Sequence, residues 1–428
     1  MGAGVNQDVV LRRWSHYEAR ELSTTLPPNY KPIYDEEKPP LANNFFQLAL
    51  KSRICDAIFG GEDRPYIETL KPLLDYITGM WKISSDNLLK NGFNLEDCFT
   101  MLQLQIKERE NNADNKEHDH LQSLLLKLEQ FFSLYLEQFE GRISEWENTY
   151  EMANNIAQGC FFDEMIQLGN LLWKERPNII TFNYDCILEN ALEKASGLSV
   201  DKDGNPLKPP RFRQITNQDD EWTYCRFRWN RALSYGTIFD NVELPDDAFS
   251  QCVGGDAYYK KAGNELYDWR ILKLHGSLNW ASYLPENCPE KYKIRDQHKN
   301  DVFFLNRLLG YGYRFYGHVP IKRLIITPVL YKDEYYKHPL FQTLWRQAFE
   351  TLSKCKRLVI IGYSFPSTDF HVRKLLLEAF KENSLEELII VNPDSSTVRI
   401  AKELTHFNKP VISCYNLREF LAPVNSPN

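Results

Sequence analysis

Between Asn178 and Tyr415 short, unbroken Ile/Val/Leu runs alternate with stretches of helical spacing, and this alternation limits the possible folds more than any other feature. The apolar runs are Asn178–Tyr184, Arg270–Leu274, Arg323–Val329, Arg357–Tyr363, Glu387–Asn392 and Pro410–Tyr415. Helices are predicted at Glu189–Glu193, Leu340–Leu352, Phe370–Phe380 and Ser395–Leu404. Strands that read as continuous apolar runs are buried on both faces, and helical connections between them favour parallel pairing. The predicted fold class is therefore α/β: a mostly parallel sheet with helices on both faces.

The rest of the chain divides around that pattern. Residues 1–42 open on Gly2-Ala3-Gly4, a glycine-rich turn of the kind that follows a strand, and then carry prolines at 27, 28, 32, 39 and 40, which mark a loop. The chain starts at the turn, without the strand expected before it, as a late start would produce. From 43 to 173 the pattern is helical: Leu121, Leu124, Leu125, Leu128, Phe131, Phe132, Tyr135, Leu136 and Phe139 recur at three- and four-residue steps. This block is read as a helical subdomain inserted after the first turn. Residues 174–428 hold the sheet, interrupted at about 197–269 by a segment too long for a plain connection, read as an insertion or lid.

Composition excludes several classes. A formal charge of −7 argues against a general phosphate-backbone binder. Nine widely spaced cysteines, with no Cys-x-x-Cys, suit reduced thiols rather than a disulfide framework or a zinc ribbon, and no metal is expected. No signal peptide and no apolar run of membrane-spanning length is found, so a cytoplasmic location without membrane association is expected.

Candidate chemistry lies where the apolar runs end, since ligands of open α/β sheets bind at the carboxyl ends of strands. Asn183 and Asp185 follow the first run; an amide both donates to and accepts from ribose hydroxyls, and a carboxylate orients a hydroxyl or stabilises positive charge. Asp185 equally suits a helix N-cap. His275, in Lys273-Leu-His-Gly-Ser277, is a base near neutral pH or a structural histidine. Gly2, Ala3 and Gly4 form a phosphate turn or an ordinary one. Gly362-Tyr-Ser364 and Asn392-Pro-Asp394 follow further runs and read as nucleotide contacts or as plain turns and caps. The Arg226–Arg231 stripe of cations and aromatics reads as a strand with one charged face, and Glu117–His120 as a solvated loop.

Taken in order, Gly-Ala-Gly4, Phe-Asn-Tyr-Asp185, Leu-His-Gly-Ser277, Gly-Tyr-Ser-Phe-Pro-x-x-Asp369 and Val-Asn-Pro-Asp394 resemble the sirtuin-like domains of bacterial antiphage defence. That resemblance covers the glycine turn and most of residues 178–395. It implies a Rossmann-like sheet that binds NAD+ as substrate and cleaves its nicotinamide–ribose bond. Gly2, Ala3 and Gly4 would hold the pyrophosphate. Asn183 would fix the ribose or the attacking water, Asp185 would orient the ribose and nicotinamide end, and His275 would be the ribose-directed base. Gly362, Ser364 and Asn392 would line the adenosine side. The four-cysteine zinc module of the deacylating members is absent, which favours NAD+ hydrolysis over deacylation. The resemblance further implies control by homo-oligomerisation or by an activating partner. The alternatives are an ADP-ribosyltransferase or deacylase using the same site, and a module that binds NAD+ or ADP-ribose without turnover and acts through a partner such as a HerA-type ATPase.

Overall fold

The computed structural model describes residues 41–51, 66–84, 87–88, 93–109, 115–152, 163–195, 269–283, 319–329, 332, 337–366, 369–382 and 385–422, together with short strands at 11–13, 35–37, 233–234, 302–304 and 315–316. Two strands, β1 (Leu11–Arg13) and β2 (Asp35–Glu37), pair antiparallel. Among the described residues the helices α1 (Phe45–Lys51), α2 (Tyr66–Trp81), α3 (Leu95–Arg109) and α4 (Asn115–Met152) follow. Helix α5 (Asp163–Glu175) leads into β3 (Ile179–Thr181) and α6 (Ile187–Ala195). Next come β4 (Leu233–Ser234), β5 (Trp269–Lys273), β6 (Gly276–Tyr283), β7 (Val302–Phe304), β8 (Phe315–Tyr316) and β9 (Val319–Ile325). The chain continues through α7 (Pro339–Ser353), β10 (Arg357–Ile361), α8 (Phe370–Ala379), β11 (Glu387–Val391), α9 (Ser396–Thr405), β12 (Ile412–Cys414) and α10 (Leu417–Leu421).

The fold class is α/β, with small parallel sheets among helices. Strands β10, β11 and β12 form one parallel sheet, and β3, β5 and β4 another. Alternate residues of β10 and β11 enter different cores, as a pleated strand requires. Ile360, Leu388 and Ile390 join α7, α8 and α9 residues such as Phe341, Leu376 and Ala401. Ile361, Ile389 and Val391 join Met165 and Leu168 of α5 and Ala191 of α6 on the other side. This sheet is therefore covered on both faces. Residues of the β3–β5 ladder, Ile179, Ile271 and Leu272, share the first of these cores.

The expectation of a mostly parallel sheet needs a correction. Strands β7, β6, β9 and β8 form a four-stranded antiparallel sheet. Its physical origin is the tight turn after β5. Gly276 has φ +83°, and a Cβ there would lie 2.1 Å from Leu324 O, so only glycine fits. The chain reverses at this point, leaves the β3–β5 ladder and pairs Gly276 with Ile325 instead. The apolar run expected over Arg323–Val329 thus begins as an antiparallel strand earlier in the sequence.

The helices between 45 and 152 pack by the predicted periodicity. Leu95, Cys98, Phe99, Leu102 and Ile106 of α3 are buried against Leu121, Leu124, Leu128 and Phe131 of α4. Phe45 packs edge-on to both Phe131 and Tyr135 at 5.2 and 5.5 Å. Ile325 and Val329 belong to the same core, which attaches these helices to the end of β9. Glu117, expected in a solvated loop, lies instead in the first turn of α4, where its carboxylate suits the helix dipole and accepts from Arg109 at 2.7 Å. The glycine turn of Gly2, Ala3 and Gly4, the Arg226–Arg231 stripe and the insertion at 197–269, save for β4 and Trp269, lie outside the described residues.

Helices α5 and α6 cross at Gly169, where an added Cβ would meet Ala191 O at 2.5 Å. Gly79 of α2, by contrast, has nothing within 4 Å of that position. Gly79→Ala is therefore expected to be neutral or stabilising by up to about 1 kcal/mol through helix propensity. Gly169→Ala is expected to destabilise by about 1–3 kcal/mol despite the same gain, because backbone must move. Urea denaturation of the two variants beside the wild type checks the contrast.

Candidate active site

The site is built where two parallel pairs of strands end. Residues that follow β3 (182–185), β5 (274–277), β10 (362–365) and β11 (392–394) converge, and side-chain contacts tie them together. The Phe182 ring lies 4.6 Å from that of Tyr363 and 5.2 Å from that of His275. Backbone bonds fix the loop after β3 over the turn after β5: Leu274 N–H donates to Thr181 O at 3.0 Å, and Leu278 N–H to Tyr184 O at 2.8 Å.

A buried ion pair underlies this arrangement. Lys273 ends β5 with no solvent exposure, and its Nζ donates to Glu189 Oε1 of α6 at 2.9 Å and to Asp185 O at 2.5 Å. Burial would pull the ammonium pKa down, but Glu189, Cys186 and Asp185 more than offset it, so the net shift is upward and Lys273 stays charged. Tyr184 anchors the loop from the other side: its hydroxyl donates to Ile326 O at 2.7 Å, and its ring meets Phe132 of α4 edge-on at 5.4 Å.

Asn183 stands over this scaffold. Its backbone N–H donates to Thr181 Oγ1 at 3.2 Å, while its Oδ1 is buried without a hydrogen-bond partner among the described residues. Asp185 takes the N-cap role: Oδ1 accepts from Ile187 N–H at 3.1 Å at the start of α6. The residue keeps some exposure, yet burial of its carboxyl pushes the pKa up to about 6, with Lys273 pulling the other way.

His275 occupies the turn between β5 and β6. Its carbonyl accepts from Ile326 N–H at 2.8 Å, and Trp345 Nε1 donates to the neighbouring Leu274 O at 3.2 Å, so the turn is pinned from both sides. The side chain is 6% exposed, and Nε2 has no hydrogen-bond partner among the described residues. Burial, then the Lys332 cation, push its pKa down to about 3, against the pull of Asp369, so the imidazole is neutral near pH 7.

The remaining predicted residues sit on the same rim with different exposure. Gly362, at φ 62°, donates its N–H to Val391 O at 2.9 Å and joins the ends of β10 and β11. Ser364 is exposed. Asn392 is engaged at both ends of its amide, donating from Nδ2 to Tyr363 O at 3.3 Å and accepting at Oδ1 from Asp394 N–H at 2.9 Å. The structure therefore brings the loop that carries Asn183 and Asp185 against His275 through Phe182 and Tyr184, and Asn392 beside Tyr363.

Three polar residues at this rim were given no role from sequence: Asp369, Lys332 and Tyr363. The buried Asp369 carboxylate accepts from Lys332 Nζ and, at 2.8 Å, from the Tyr363 hydroxyl, and its Oδ1 lies 3.8 Å from His275 Nε2. Burial alone would raise its pKa, but His275, Lys332 and these hydrogen bonds bring it below the ordinary carboxylate value. Asp369 was visible as the last residue of the Gly-Tyr-Ser-Phe-Pro-x-x-Asp string; nothing in the sequence marks Lys332. Among the described residues no group of three His, Cys, Asp or Glu is placed to hold a metal ion, and no helix is long and apolar enough to cross a membrane.

The sequence matches no protein-family model and no curated protein.

Two stability tests follow from the charges. Lys273→Met removes the buried cation that faces Glu189 and is expected to cost about 3–5 kcal/mol, whereas Lys273→Met combined with Glu189→Leu is expected to recover part of that loss; denaturant melts of the single and double variants read this directly. Asp185 has a folded-state pKa of about 6 against an ordinary 3.8, so it favours the folded state while protonated, and that contribution is lost as pH rises through about 6. Asp185→Asn keeps a capping side chain and no charge. It is expected to match the wild type near pH 4 and to exceed it in stability at pH 7, in chemical denaturation at the two pH values.

Proposed function

We propose that this chain is an NAD+ glycohydrolase, built on a Rossmann-like sheet, that splits NAD+ and water into nicotinamide, ADP-ribose and a proton. The observation that carries the reading is two buried polar atoms without hydrogen-bond partners among the described residues, Asn183 Oδ1 and His275 Nε2, on two loops that the Phe182 and Tyr184 ring contacts with His275 bring together. An unsatisfied buried polar atom costs about 1–3 kcal/mol, so such atoms point to a ligand that satisfies them. Asn183 Oδ1 accepts, and His275 Nε2 accepts in the tautomer that carries its proton on Nδ1; a ribose with its hydroxyls and an attacking water supplies the donors. The Phe182 and Tyr363 rings pack on each other at 4.6 Å and give the rim an apolar wall.

The chemistry demands little more. As the C–N bond breaks, its electron pair neutralises the pyridinium, and nicotinamide departs uncharged. The ribose left behind carries oxocarbenium character, which the Asp185 carboxylate stabilises. Asn183 accepts from the water that attacks the anomeric carbon. His275, neutral and weakly basic, accepts a hydrogen bond from a ribose hydroxyl and takes its proton as positive charge on the ring makes that hydroxyl acidic. Gly362 and the exposed Ser364 line the adenosine side. Asn392 shapes it through the backbone, since its amide is already engaged. Gly2, Ala3 and Gly4 remain the proposed pyrophosphate turn. Depletion of cellular NAD+ in antiphage defence, in the cytoplasm, under the control of a homo-oligomer, an activating partner or a HerA-type ATPase, is the biological setting that the motif order suggests.

Purified protein incubated with NAD+ and followed by chromatography is expected to release nicotinamide and ADP-ribose in equal amounts. His275→Ala and Asn183→Ala are each expected to lose on the order of 10²–10⁴-fold in kcat. Activity is expected to decline below about pH 6 as Asp185 protonates. NAD+ binding of ordinary affinity with no nicotinamide released, in wild type and variants alike, would favour the module that binds without turnover.

A further inference from the structure

The mechanism above leaves the polar groups of three buried residues around His275 without a task. Lys332, 3% exposed, and Asp369, 5% exposed, form an ion pair inside the protein, and Tyr363 donates its hydroxyl to the second carboxylate oxygen. Two charges so deeply buried cost several kcal/mol each in desolvation, which their mutual attraction offsets only in good geometry. What distinguishes the position is its neighbour. Asp369 Oδ1, the same oxygen that Lys332 holds, lies 3.8 Å from His275 Nε2, the atom left without a partner. The aromatic rings of Phe182 and Tyr184 line the imidazole at 5.2 and 6.3 Å, and among the described residues the charges that reach it come from Lys332, Asp369 and, more weakly, His371 of α8.

We propose that Asp369 is the positioning carboxylate of His275, and that Lys332 and Tyr363 hold it just short of a hydrogen bond to Nε2 until the imidazole gains a proton. This role presupposes the glycohydrolase reading of the same site. Before reaction, Lys332 and Tyr363 occupy the carboxylate, and Nε2 is left to accept from the substrate. During reaction the hydroxyl O–H bond breaks, its electron pair stays on oxygen, and the proton forms the Nε2–H bond. The imidazolium then faces an anion already in place at 3.8 Å, so its charge is stabilised without reorganisation. Lys332 sets the balance: without it the His275 proton would be held too readily in the resting state, and without Asp369 it would hardly be held at all. The N-terminal position of Asp369 on α8 keeps the carboxylate fixed, since the Val372 and Arg373 N–H groups donate to its backbone carbonyl at 3.1 and 3.2 Å.

The test reads His275 directly. Its imidazole resonances in the full-length chain, assigned by their loss in His275→Gln, are followed by NMR against pH in wild type, Lys332→Met, Asp369→Asn and the double variant. In the wild type His275 is expected to stay neutral down to about pH 3. Lys332→Met is expected to raise the midpoint by about 1–3 pH units, because the remaining carboxylate then faces the imidazole alone. The double variant is expected to rise less, and Asp369→Asn not at all. Midpoints unmoved in both Lys332→Met and the double variant would overturn the coupling, and the double variant, which carries no buried charge, guards against misfolding of either single one. Turnover supplies the catalytic half: Asp369→Asn is expected to lose on the order of 10²-fold in kcat with KM for NAD+ near the wild-type value. Unchanged kcat in that variant beside an active wild type would refute the positioning role. A wild type that releases no nicotinamide, with the order of midpoints intact, would remove the glycohydrolase reading and leave the His275–Asp369 coupling in place.

Discussion

The fully buried ammonium of Lys273 sets the geometry on which the rest of the site depends. A buried cation must be surrounded by acceptors or the fold loses several kcal/mol. Here those acceptors come from two other elements: Glu189 of α6, and the carbonyl of Asp185 in the loop after β3. Satisfying Lys273 therefore forces that loop to fold back over the end of β5. The same closure brings Tyr184 O within reach of both Leu278 N–H and the Ser277 hydroxyl, at 2.8 and 3.3 Å. Once the loop is held there, Phe182 and Tyr184 lie against His275, and Asn183 and Asp185 sit on the same loop. The rim is thus a consequence of charge neutralisation beneath it, rather than of contacts among the rim residues themselves.

A second buried cation, Lys332, acts on His275 itself, and the two cations have unequal effects on their neighbouring carboxylates. Lys273 spends most of its attraction on Glu189, so burial dominates at Asp185 and its pKa rises to about 6. Lys332 is paired with Asp369 itself, and Asp369 ends below the ordinary value. Two carboxylates at one site, driven in opposite directions by their surroundings, have different capacities: one is poised to change charge near neutral pH, and the other is fixed as an anion. Structural ion pairs also perturb pKa values, but they do not by themselves leave a neutral histidine between them with an open nitrogen.

How much of this was legible depended on whether the signal was local. The helical block was readable because burial there follows a single period: Leu121, Leu124, Leu128 and Phe131 all face one core. The rim was readable because each polar cluster directly follows an apolar run, and Asn183, Asp185, His275 and Gly362 stand where that logic put them. The antiparallel sheet was not readable. Strands β7 and β8 are three and two residues long, too short for any alternation to register. Strand β6 is marked only by Gly276, and the need for glycine there comes from Leu324, distant in sequence. Lys332 was hidden for the same reason, since a lone lysine gains meaning only from Asp369, which is 37 residues away.

The turn after β10 shows how local strain and the rim are linked. Gly362 and Phe365 both have left-handed backbone, at φ 62° and 54°. Glycine adopts this freely, but for a buried phenylalanine it costs about 1–2 kcal/mol. The strain persists because its surroundings over-determine it: Arg373 donates to Phe365 O at 2.8 Å, and the Phe365 ring packs edge-on against Tyr363 at 5.0 Å. Between the two left-handed residues the chain turns Tyr363 inward, where its ring meets Phe182 and its hydroxyl meets Asp369, and turns Ser364 outward. A relaxed turn would present these side chains differently and would take Tyr363 from the carboxylate. The strained backbone therefore serves the same end as the buried cations, fixing in advance the groups that surround His275.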